Sequence, residues 1–475
     1  MPDGVNMREL VTRQRVSFDR EGFPDLGTRI DRLDRLLSML KKYDRQICET
    51  VSEDFGARAY ELSLMAEVFL TLEQAKGAIT NVSKWMKPER RQAPSPAAEA
   101  GAIAEVRPMP KGVIGIIGPW NFPVHLMLGP LVCVLAAGNR AMLKPSEVTA
   151  KTSRLIDEMV SDFFDPTEVA VVLGDAQVSS EFSQLPFDHI MFTGSTAVGR
   201  HVLRAAAEHL TPVTLELGGK SPVVVDREVD LPTVATRLMA GKLFNTGQVC
   251  VSPDYAFVPE ELVEPLIVEL ERATGDLFPN LADNPQYTSI VNEHHFLRLQ
   301  NLIDDAAAQS VEIITFNPAE EVYDEAENRK MKPRVLLDPP ESTAIMKDEV
   351  FGPLLPIKSY GHIDEATEYV NCHDRPLALY YFGDNEQQRA HFIDNVAVGG
   401  MAINDVVVQV TCHELPLGGI GPSGMGRYHG IDGFREFSHL KAVYSQTPSE
   451  MIAGFMRPPY SDAMRAMLQE QIDEG

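Results

Sequence analysis

Residues 112–123 read GVIGIIGPWNFP, a β-branched run that ends in glycine, proline, aromatic and amide side chains. A run of Val and Ile without polar alternation is typical of a strand buried on both faces, as in a parallel sheet. Segments of helical length and further β-branched runs follow it along the chain. The stretch therefore predicts an open α/β sheet in which strands and helices alternate.

Two sets of strands are predicted by such runs. Those of the first set are 113–117, 141–144, 169–173, 189–192 and 213–217, with helices near 125–137, 148–163, 177–184 and 196–208. Those of the second set are 222–225, 256–258, 312–315, 354–357, 379–382 and 401–403. The first ninety residues look helical, and 92–101, rich in Pro, Ala and Glu, is expected to be a connector. Two doubly wound α/β domains in tandem are the simplest account.

The composition is that of an acidic globular protein. The 475 residues carry 43 Lys and Arg against 68 Asp and Glu, a net charge of −25, so a nucleic-acid protein with a basic face is disfavoured. No apolar run reaches the roughly 20 residues of a membrane span, and no secretory signal is visible. We expect a soluble cytoplasmic protein that binds neither nucleic acid nor membrane.

Polar residues follow several predicted strands, and in an open α/β sheet ligands bind beyond the carboxyl ends of the strands. Asn121, Lys144 and Glu216 all stand at such ends. Lys144 with Glu147 could hold ribose hydroxyls, although a solvated helix start explains them equally well. The segment GSTAVG at 194–199 opens a helix, which suits a pyrophosphate, with a simple N-cap as the alternative.

A regular GxGxxG pattern occurs at 419–424. The required strand does not precede it, and no long helix pattern follows it. We therefore reject it as a dinucleotide-binding turn.

The five cysteines are an odd number without CxxC pairs, which is typical of a reducing compartment. Cys250 follows the polar turn NTGQV, whereas Cys133 lies inside an apolar run. A nucleophilic thiol must be accessible, so Cys250 is the candidate and the other four are expected to pack in the interior. No metal site is predicted, because HExxH is absent and EHH at 293–295 lacks a spaced partner.

Taken together, these segments resemble the aldehyde dehydrogenase superfamily over nearly the whole chain and in the same order. The matching segments are PWNFP (119–123), KPSE (144–147), FTGS (192–195), ELGGK (216–220), GQVC (247–250), EVFGP (349–353) and GGIGPSGMG (418–426). The PDY at 253–255 resembles the class 3 branch, and within it the bacterial coniferyl aldehyde dehydrogenases.

The resemblance implies NAD(P)-dependent oxidation of an aldehyde to its acid through a thioester on Cys250. Asn121 and the backbone N–H of Cys250 would hold the oxyanion, and Glu216 would activate water. The residues implied for the cofactor are Trp120, Lys144, Glu147, Gly194, Ser195, Gly199, Glu349 and Phe351. NAD is expected because Glu147 repels a 2′-phosphate, with NADP as a second possibility.

The resemblance also implies a domain layout and a homodimer. Residues 1–93 and 110–217 would form the NAD(P)-binding domain, 218–412 the catalytic domain, and 94–109 with 430–448 a small β oligomerisation element. The expected substrate is an aromatic or cinnamyl-type aldehyde such as coniferyl aldehyde. Aliphatic aldehydes and a CoA-acylating reaction are the alternatives, and VVV at 406–408 either lines the entrance or is a buried strand.

Overall fold

The computed structural model describes residues 6–447 and 457–474, and its strands form three sheets. The strands are β1 (Glu89–Arg91), β2 (Ile103–Pro110), β3 (Val113–Ile117), β4 (Arg140–Lys144), β5 (Val169–Val171), β6 (His189–Thr193), β7 (Val213–Glu216), β8 (Pro222–Val225), β9 (Tyr255–Pro259), β10 (Glu312–Thr315), β11 (Arg334–Leu337), β12 (Leu354–Tyr360), β13 (Ala378–Phe382), β14 (Gly400–Ile403), β15 (Gly424–Met425) and β16 (Ser438–Ser445).

The strands alternate with helices through most of the chain. The α-helices are Met7–Glu21, Leu26–Phe55, Tyr60–Ser63, Leu70–Trp85, Ser95–Glu99, His125–Ala136, Ala150–Phe163, Ala176–Ser183, Thr196–Ala207, Leu231–Leu243, Val263–Leu277, Glu293–Ala308, Ala344–Lys347, Ile363–Cys372, Glu386–Asn395, Gly430–Glu436 and Asp462–Glu474. A π-helical segment, Leu64–Phe69, joins two of them. None of the helices in the described part of the chain is long and apolar enough to cross a membrane.

The first sheet has the strand order β15-β7-β6-β3-β4-β5 and is parallel except at β15. Every residue of β3 and β6 is buried, and for β3 this agrees with its run of Val and Ile. The chain runs from β3 outward to β5 and then crosses back to place β6 on the other side of β3. This reversal opens a crevice at the carboxyl ends of β3 and β6, where open α/β sheets bind ligands.

The second sheet has the order β10-β11-β12-β9-β8-β13-β14 and is parallel except at β10. The predicted fold class, two doubly wound open sheets with a small additional β element, is confirmed. Strand β11 was not predicted, because it follows a long irregular segment rather than a helix.

A three-stranded antiparallel sheet, β1-β2-β16, forms the third element. Strand β16 pairs with β2 over all its residues, from Ser438 to Ser445. In residues 6–447 and 457–474 no strand pairs with the outer edge of β16. The connector predicted at 92–101 is wrong in one respect, since it contains the helix Ser95–Glu99.

The N-terminal helices dock on the first sheet through Arg32. Its side chain is 2% exposed and forms ion pairs with Glu21 at 2.9 Å and with Glu168, next to β5, at 3.0 Å. A buried guanidinium requires such partners, because an uncompensated charge in the interior is strongly destabilising. The domain boundaries given above stay predictions, and residues 1–5 and Pro448 within them lie outside the described residues.

Candidate active site

The loop that carries Cys250 leaves the helix Leu231–Leu243 through an unusual backbone conformation. Asn245 and Thr246 have φ of 49° and 54°, and Gly247 has φ of 75°. A Cβ at Gly247 would collide with the carbonyl oxygen of Gly352, so the close approach requires glycine. The turn directs the chain so that Cys250 faces the cavity described below.

Gln248 fixes this loop from inside. Its Nε2 donates to the carbonyls of Asn245 at 3.0 Å and Ser289 at 3.1 Å, and its Oε1 accepts from the N–H of Val291 at 2.9 Å. The side chain is fully buried, so these bonds form away from competing water. The position of Cys250 therefore depends on contacts to a segment about forty residues further along the chain.

The Cys250 side chain is partly exposed. Burial raises the pKa of its thiol above the usual range, and the nearby carboxyls of Glu216 and Glu349 raise it further. Backbone N–H groups of Cys250 and Val251 act in the opposite direction. The resting thiol is therefore protonated, and a base is required to generate the thiolate.

Glu216 ends β7 with its side chain inside the protein, 2% exposed. In the described ranges, 6–447 and 457–474, no group hydrogen-bonds to either of its carboxylate oxygens. Burial raises the pKa of Glu216 to about 8. Such a carboxyl group can take up a proton from a nearby acid near neutral pH, which is the property of a general base.

Asn121 lies on the loop after β3 and is 3% exposed. Its Nδ2 donates one hydrogen bond, to the carbonyl of Gln248 at 3.2 Å, and an amide nitrogen carries two donors. The backbone carbonyl of Asn121 accepts from Arg58 Nη1 at 2.9 Å and from Asn245 Nδ2 at 3.3 Å. Within the described part of the chain, the second N–H of the Asn121 amide has no acceptor and can bind a ligand.

One cavity of about 810 Å³ connects these groups. It is lined by ten of the eleven predicted site residues: Asn121, Glu216, Cys250, Trp120, Lys144, Glu147, Gly194, Ser195, Glu349 and Phe351. Its size lies within the range of small-molecule and cofactor sites. The valines at 406–408 do not line it, and they are not a strand either, because β14 ends at Ile403.

Gly199 is the predicted residue that the structure does not bring to the cavity. It is buried inside the helix Thr196–Ala207, where a Cβ would lie 2.8 Å from Cδ2 of Leu217. The absence of a side chain lets this helix approach the end of β7. Gly199 thus places the helix, while Gly194 and Ser195 at its start line the cavity.

The groove along the first sheet fits a dinucleotide. Ser195 caps the helix Thr196–Ala207, whose free N–H groups and dipole favour a phosphate. The buried Lys144 ammonium donates to the carbonyls of Pro145 and Gly174 and retains a third N–H. Glu147, 44% exposed, lies 3.9 Å from it. A donor and an acceptor side by side suit the hydroxyls of a ribose.

The opposite end of the cavity is formed by Glu349 and aromatic rings. The Glu349 carboxyl lies so close to Gly218 that a Cβ there would collide with it. Burial and Asp254 raise the pKa of Glu349 to about 8. Phe351 has φ of 47°, and its ring meets that of Trp120 edge-on at 5.3 Å.

His295 and Arg298 are among the cavity residues that were not predicted as site residues from the sequence. The His295 ring lies 4.7 Å from that of Trp120, and burial lowers its pKa to about 4, so the ring is neutral. Arg298 donates to the carbonyls of Glu349 and Val350. The adjacent histidines at 294 and 295 were the sequence feature from which His295 could have been predicted. The notion of metal ligation, the one role considered for these histidines, overlooked contact with an aromatic ring.

The cysteines other than Cys250 divide into two kinds. Cys48 and Cys133 are buried, as expected. Cys372 and Cys412 are exposed, so their assignment to interior packing was wrong. The helix that ends at Cys372 and the polar surroundings of Cys412 place both on the surface.

A thiol, a buried carboxyl and a helix N-terminus around one crevice between two α/β sheets are the features of a two-domain nicotinamide-dependent dehydrogenase. The family model described as "Aldehyde dehydrogenase family" matches residues 22–443. The chain belongs to the aldehyde dehydrogenase family, and it is an aldehyde dehydrogenase that uses a nicotinamide cofactor.

Individual relatives agree with this family. A probable coniferyl aldehyde dehydrogenase of Caulobacter vibrioides is 46% identical over 98% of this chain and 96% of its own length. A coniferyl aldehyde dehydrogenase of a Pseudomonas species is 45% identical over 96% and 94%. Aldehyde dehydrogenase family 3 member H1 of Arabidopsis thaliana is 36% identical over 98% and 95%.

Among solved structures, Staphylococcus aureus AldH in a substrate-bound state superposes with a TM-score of 0.91. It is 33% identical to this chain, and the match covers 98% of this chain and 99% of that one. The class 3 resemblance inferred from the sequence is confirmed by these relatives.

The raised pKa of Glu216 makes protein stability depend on pH. The unfolded carboxyl releases its proton near the ordinary value of 4.5, whereas the folded one holds it up to about 8. The folded state therefore binds more protons between these values, and this group's contribution to stability falls as pH rises across that window. Glu216→Gln should raise Tm relative to the unmodified protein, and by more at pH 8 than at pH 5.

Thermal unfolding of both proteins over this pH range measures the effect. Glu312→Gln, at an exposed position on β10, is the matched control and should leave the pH dependence unchanged. An equal Tm difference between Glu216→Gln and the unmodified protein at every pH would contradict the assignment.

Proposed function

We propose that this enzyme oxidises an aromatic, cinnamyl-type aldehyde such as coniferyl aldehyde to the free acid, with Cys250 as nucleophile, Glu216 as base and Asn121 as oxyanion donor. One observation carries the proposal. The unpaired, buried carboxyl of Glu216 and the thiol of Cys250 line the same cavity, and the carboxyl is close enough to raise the pKa of that thiol.

The first step is attack of the Cys250 thiolate on the aldehyde carbon, with the thiol proton transferred to a base. The negative charge moves to the aldehyde oxygen, which the Asn121 amide and the Cys250 backbone N–H stabilise. A single donor of this kind is typically worth about 3–4 kcal/mol. The nicotinamide ring, when bound, supplies the acceptor for the hydride that leaves this adduct as it becomes a thioester.

Glu216 completes the reaction on the thioester. Its carboxylate takes a proton from water, and the resulting hydroxide attacks the thioester carbon. The carbon–sulfur bond breaks, the acid leaves, and the Cys250 sulfur is released for another turnover. Because Glu216 is buried and unpaired, its proton affinity is high enough for this role at neutral pH.

The cofactor would lie along the groove already described. Lys144 and Glu147 would hold the adenosine ribose, and Gly194 and Ser195 the pyrophosphate, with Gly199 placing their helix. Trp120, Glu349 and Phe351 would hold the nicotinamide half. We propose NAD as the preferred cofactor because the Glu147 carboxylate repels a 2′-phosphate. NADP is accepted as well, since this exposed side chain has room to turn away.

The substrate assignment is supported by the names of the relatives from Caulobacter vibrioides and the Pseudomonas species. Aliphatic aldehydes remain the first alternative. A CoA-acylating reaction is the second, and Glu216 argues against it because its position favours attack by water. A working thiol requires reducing conditions, so we place the enzyme in the cytoplasm.

Cys250→Ala is expected to abolish aldehyde oxidation and to leave cofactor binding intact, because it removes the nucleophile and no cofactor contact. Formation of the reduced cofactor measures the first effect, and fluorescence titration with NAD the second. Cys412→Ala, at an exposed position outside the cavity, is the control and should be fully active. Undiminished activity of Cys250→Ala would overturn the mechanism.

A panel of aromatic, cinnamyl-type and aliphatic aldehydes, assayed with NAD and with NADP, tests substrate and cofactor. The highest kcat/KM is expected for a cinnamyl-type aldehyde with NAD, and the product should be the free acid even when CoA is present. A strong preference for long aliphatic chains would remove the coniferyl assignment. No turnover with NAD would refute the argument from Glu147, and efficient acyl-CoA formation would refute hydrolysis.

We also propose a homodimer in which β2, β16 and the segments around them, 94–109 and 430–448, bridge the subunits. The exposed outer edge of β16, with Leu440 and Tyr444 about half exposed, is a surface that a second chain can cover. Elution at twice the 52.6 kDa chain mass is expected in gel filtration at micromolar concentration. Elution as a monomer would contradict the proposal.

A further inference from the structure

The loop that carries Asn121 is backed by a fully buried ion pair. Arg58 precedes the helix Tyr60–Ser63, and Glu67 lies in the π-helical segment Leu64–Phe69. Arg58 Nη2 and Glu67 Oε1 are 3.0 Å apart, and both side chains are 0% exposed. Transfer of two charges out of water is costly, so a buried pair is weak evidence for added stability. Its contacts indicate a different role.

Arg58 holds the first half of the loop. Its Nη1 donates to the carbonyl of Asn121 at 2.9 Å, and its guanidinium lies over the ring of Phe122 at 4.8 Å from the centroid. The ring of Phe55 lies at 5.1 Å from the same guanidinium. Arg58 therefore fixes the orientation of the peptide group that follows the Asn121 side chain.

Glu67 holds the second half of the loop that carries Asn121. Its Oε2 accepts from the N–H of Val124 at 3.0 Å and from that of His125 at 2.9 Å. These groups stand at the start of the helix His125–Ala136, where backbone N–H groups have no partner within the helix. Arg58 and Glu67 thus form hydrogen bonds to both ends of the segment 121–125.

We propose that Arg58 and Glu67 are positioning residues that aim the Asn121 side-chain amide at the oxyanion formed on Cys250. This inference rests on the role proposed above for Asn121. Among the residues that the structure describes, the amide is held by a single hydrogen bond, from Nδ2 to the carbonyl of Gln248 at 3.2 Å. Its direction is therefore set mainly by the backbone that Arg58 and Glu67 fix, and oxyanion donors act only when they are preorganised.

Two reactions of the Cys250 thiol separate positioning from mere structural support. With p-nitrophenyl acetate the sulfur attacks the carbonyl carbon, an oxyanion forms, and p-nitrophenolate leaves as the thioester appears. With iodoacetamide the sulfur displaces iodide from a saturated carbon and no oxyanion forms. In each case the thiol proton passes to solvent. Loss of oxyanion positioning should slow the first reaction alone.

The test variant is Arg58→Met/Glu67→Gln. It removes both charges together, so that neither is left buried alone, and the glutamine oxygen can still accept from the N–H groups of Val124 and His125. We expect p-nitrophenyl acetate to acylate Cys250 at least about tenfold more slowly, since small misplacement of a catalytic group is costly, and iodoacetamide to react at an unchanged rate. Aldehyde oxidation should lose kcat with little change in KM.

Asn121→Ala calibrates the experiment. It should show the same selective loss, and adding Arg58→Met/Glu67→Gln to it should slow acylation no further, because the positioned group is already absent. Arg334→Met/Glu325→Gln is the matched control, an Arg–Glu pair at 2.6 Å that also accepts a backbone N–H and lies outside the cavity. It should change neither rate.

Three results would overturn the assignment. Equal slowing of both thiol reactions would show general structural support only. Normal acylation in Arg58→Met/Glu67→Gln, with loss in Asn121→Ala, would refute this inference and spare the proposed function. Normal acylation in Asn121→Ala would refute the oxyanion role itself, and this inference with it. If the double variant does not fold, Arg58→Lys replaces it, since this substitution keeps the charge and removes the forked donor. The rates of acylation by p-nitrophenyl acetate and of reaction with iodoacetamide are then compared in the same way.

Discussion

The carboxyl group of Glu216 is buried in the wall of the crevice, and among the residues that the structure describes no hydrogen-bond donor reaches it. An unpaired carboxyl in the interior is unfavourable, so the surrounding fold must compensate for it. Strand β15 closes that wall by pairing with β7, where Gly424 stands opposite Glu216. Gly424 has φ of 144°, and any Cβ would collide with the carbonyl of Leu215. Gly424 is therefore buried in this wall, whereas Gly421, in the same glycine-rich segment 418–426, is exposed.

Most of the fold could be predicted because its strands are short, apolar and β-branched. Strands β3 and β8 have the predicted bounds, and the residues that follow parallel strands meet at one edge for a topological reason, which is why Asn121, Lys144 and Glu216 line one cavity. The sequence signal failed for β11, whose four residues follow an irregular segment, and for β15, whose two residues have no apolar pattern at all.

The unpredicted part of the site consists of contacts between residues distant in the chain. Arg58 and Asn121 are 63 positions apart, and no local pattern indicates that the Arg58 side chain contacts the Asn121 backbone. Gly199 shows the converse case, because it was predicted as a cofactor contact from the segment GSTAVG, while its packing role against Leu217 could be seen only in the coordinates. The net charge of −25 likewise described the surface and gave no information on Lys144, whose ammonium is buried at the groove.

The high proton affinity of the Cys250 thiol has a consequence for the enzyme at rest. Peroxides and other oxidants react with the thiolate, and susceptibility to sulfenic and sulfinic acid follows thiolate character and exposure. A sulfur that is only partly exposed and remains protonated until substrate and base are in place is a poor target for them. If Cys250 is the nucleophile proposed above, the burial that makes it dependent on a base would also slow its oxidation in the idle enzyme.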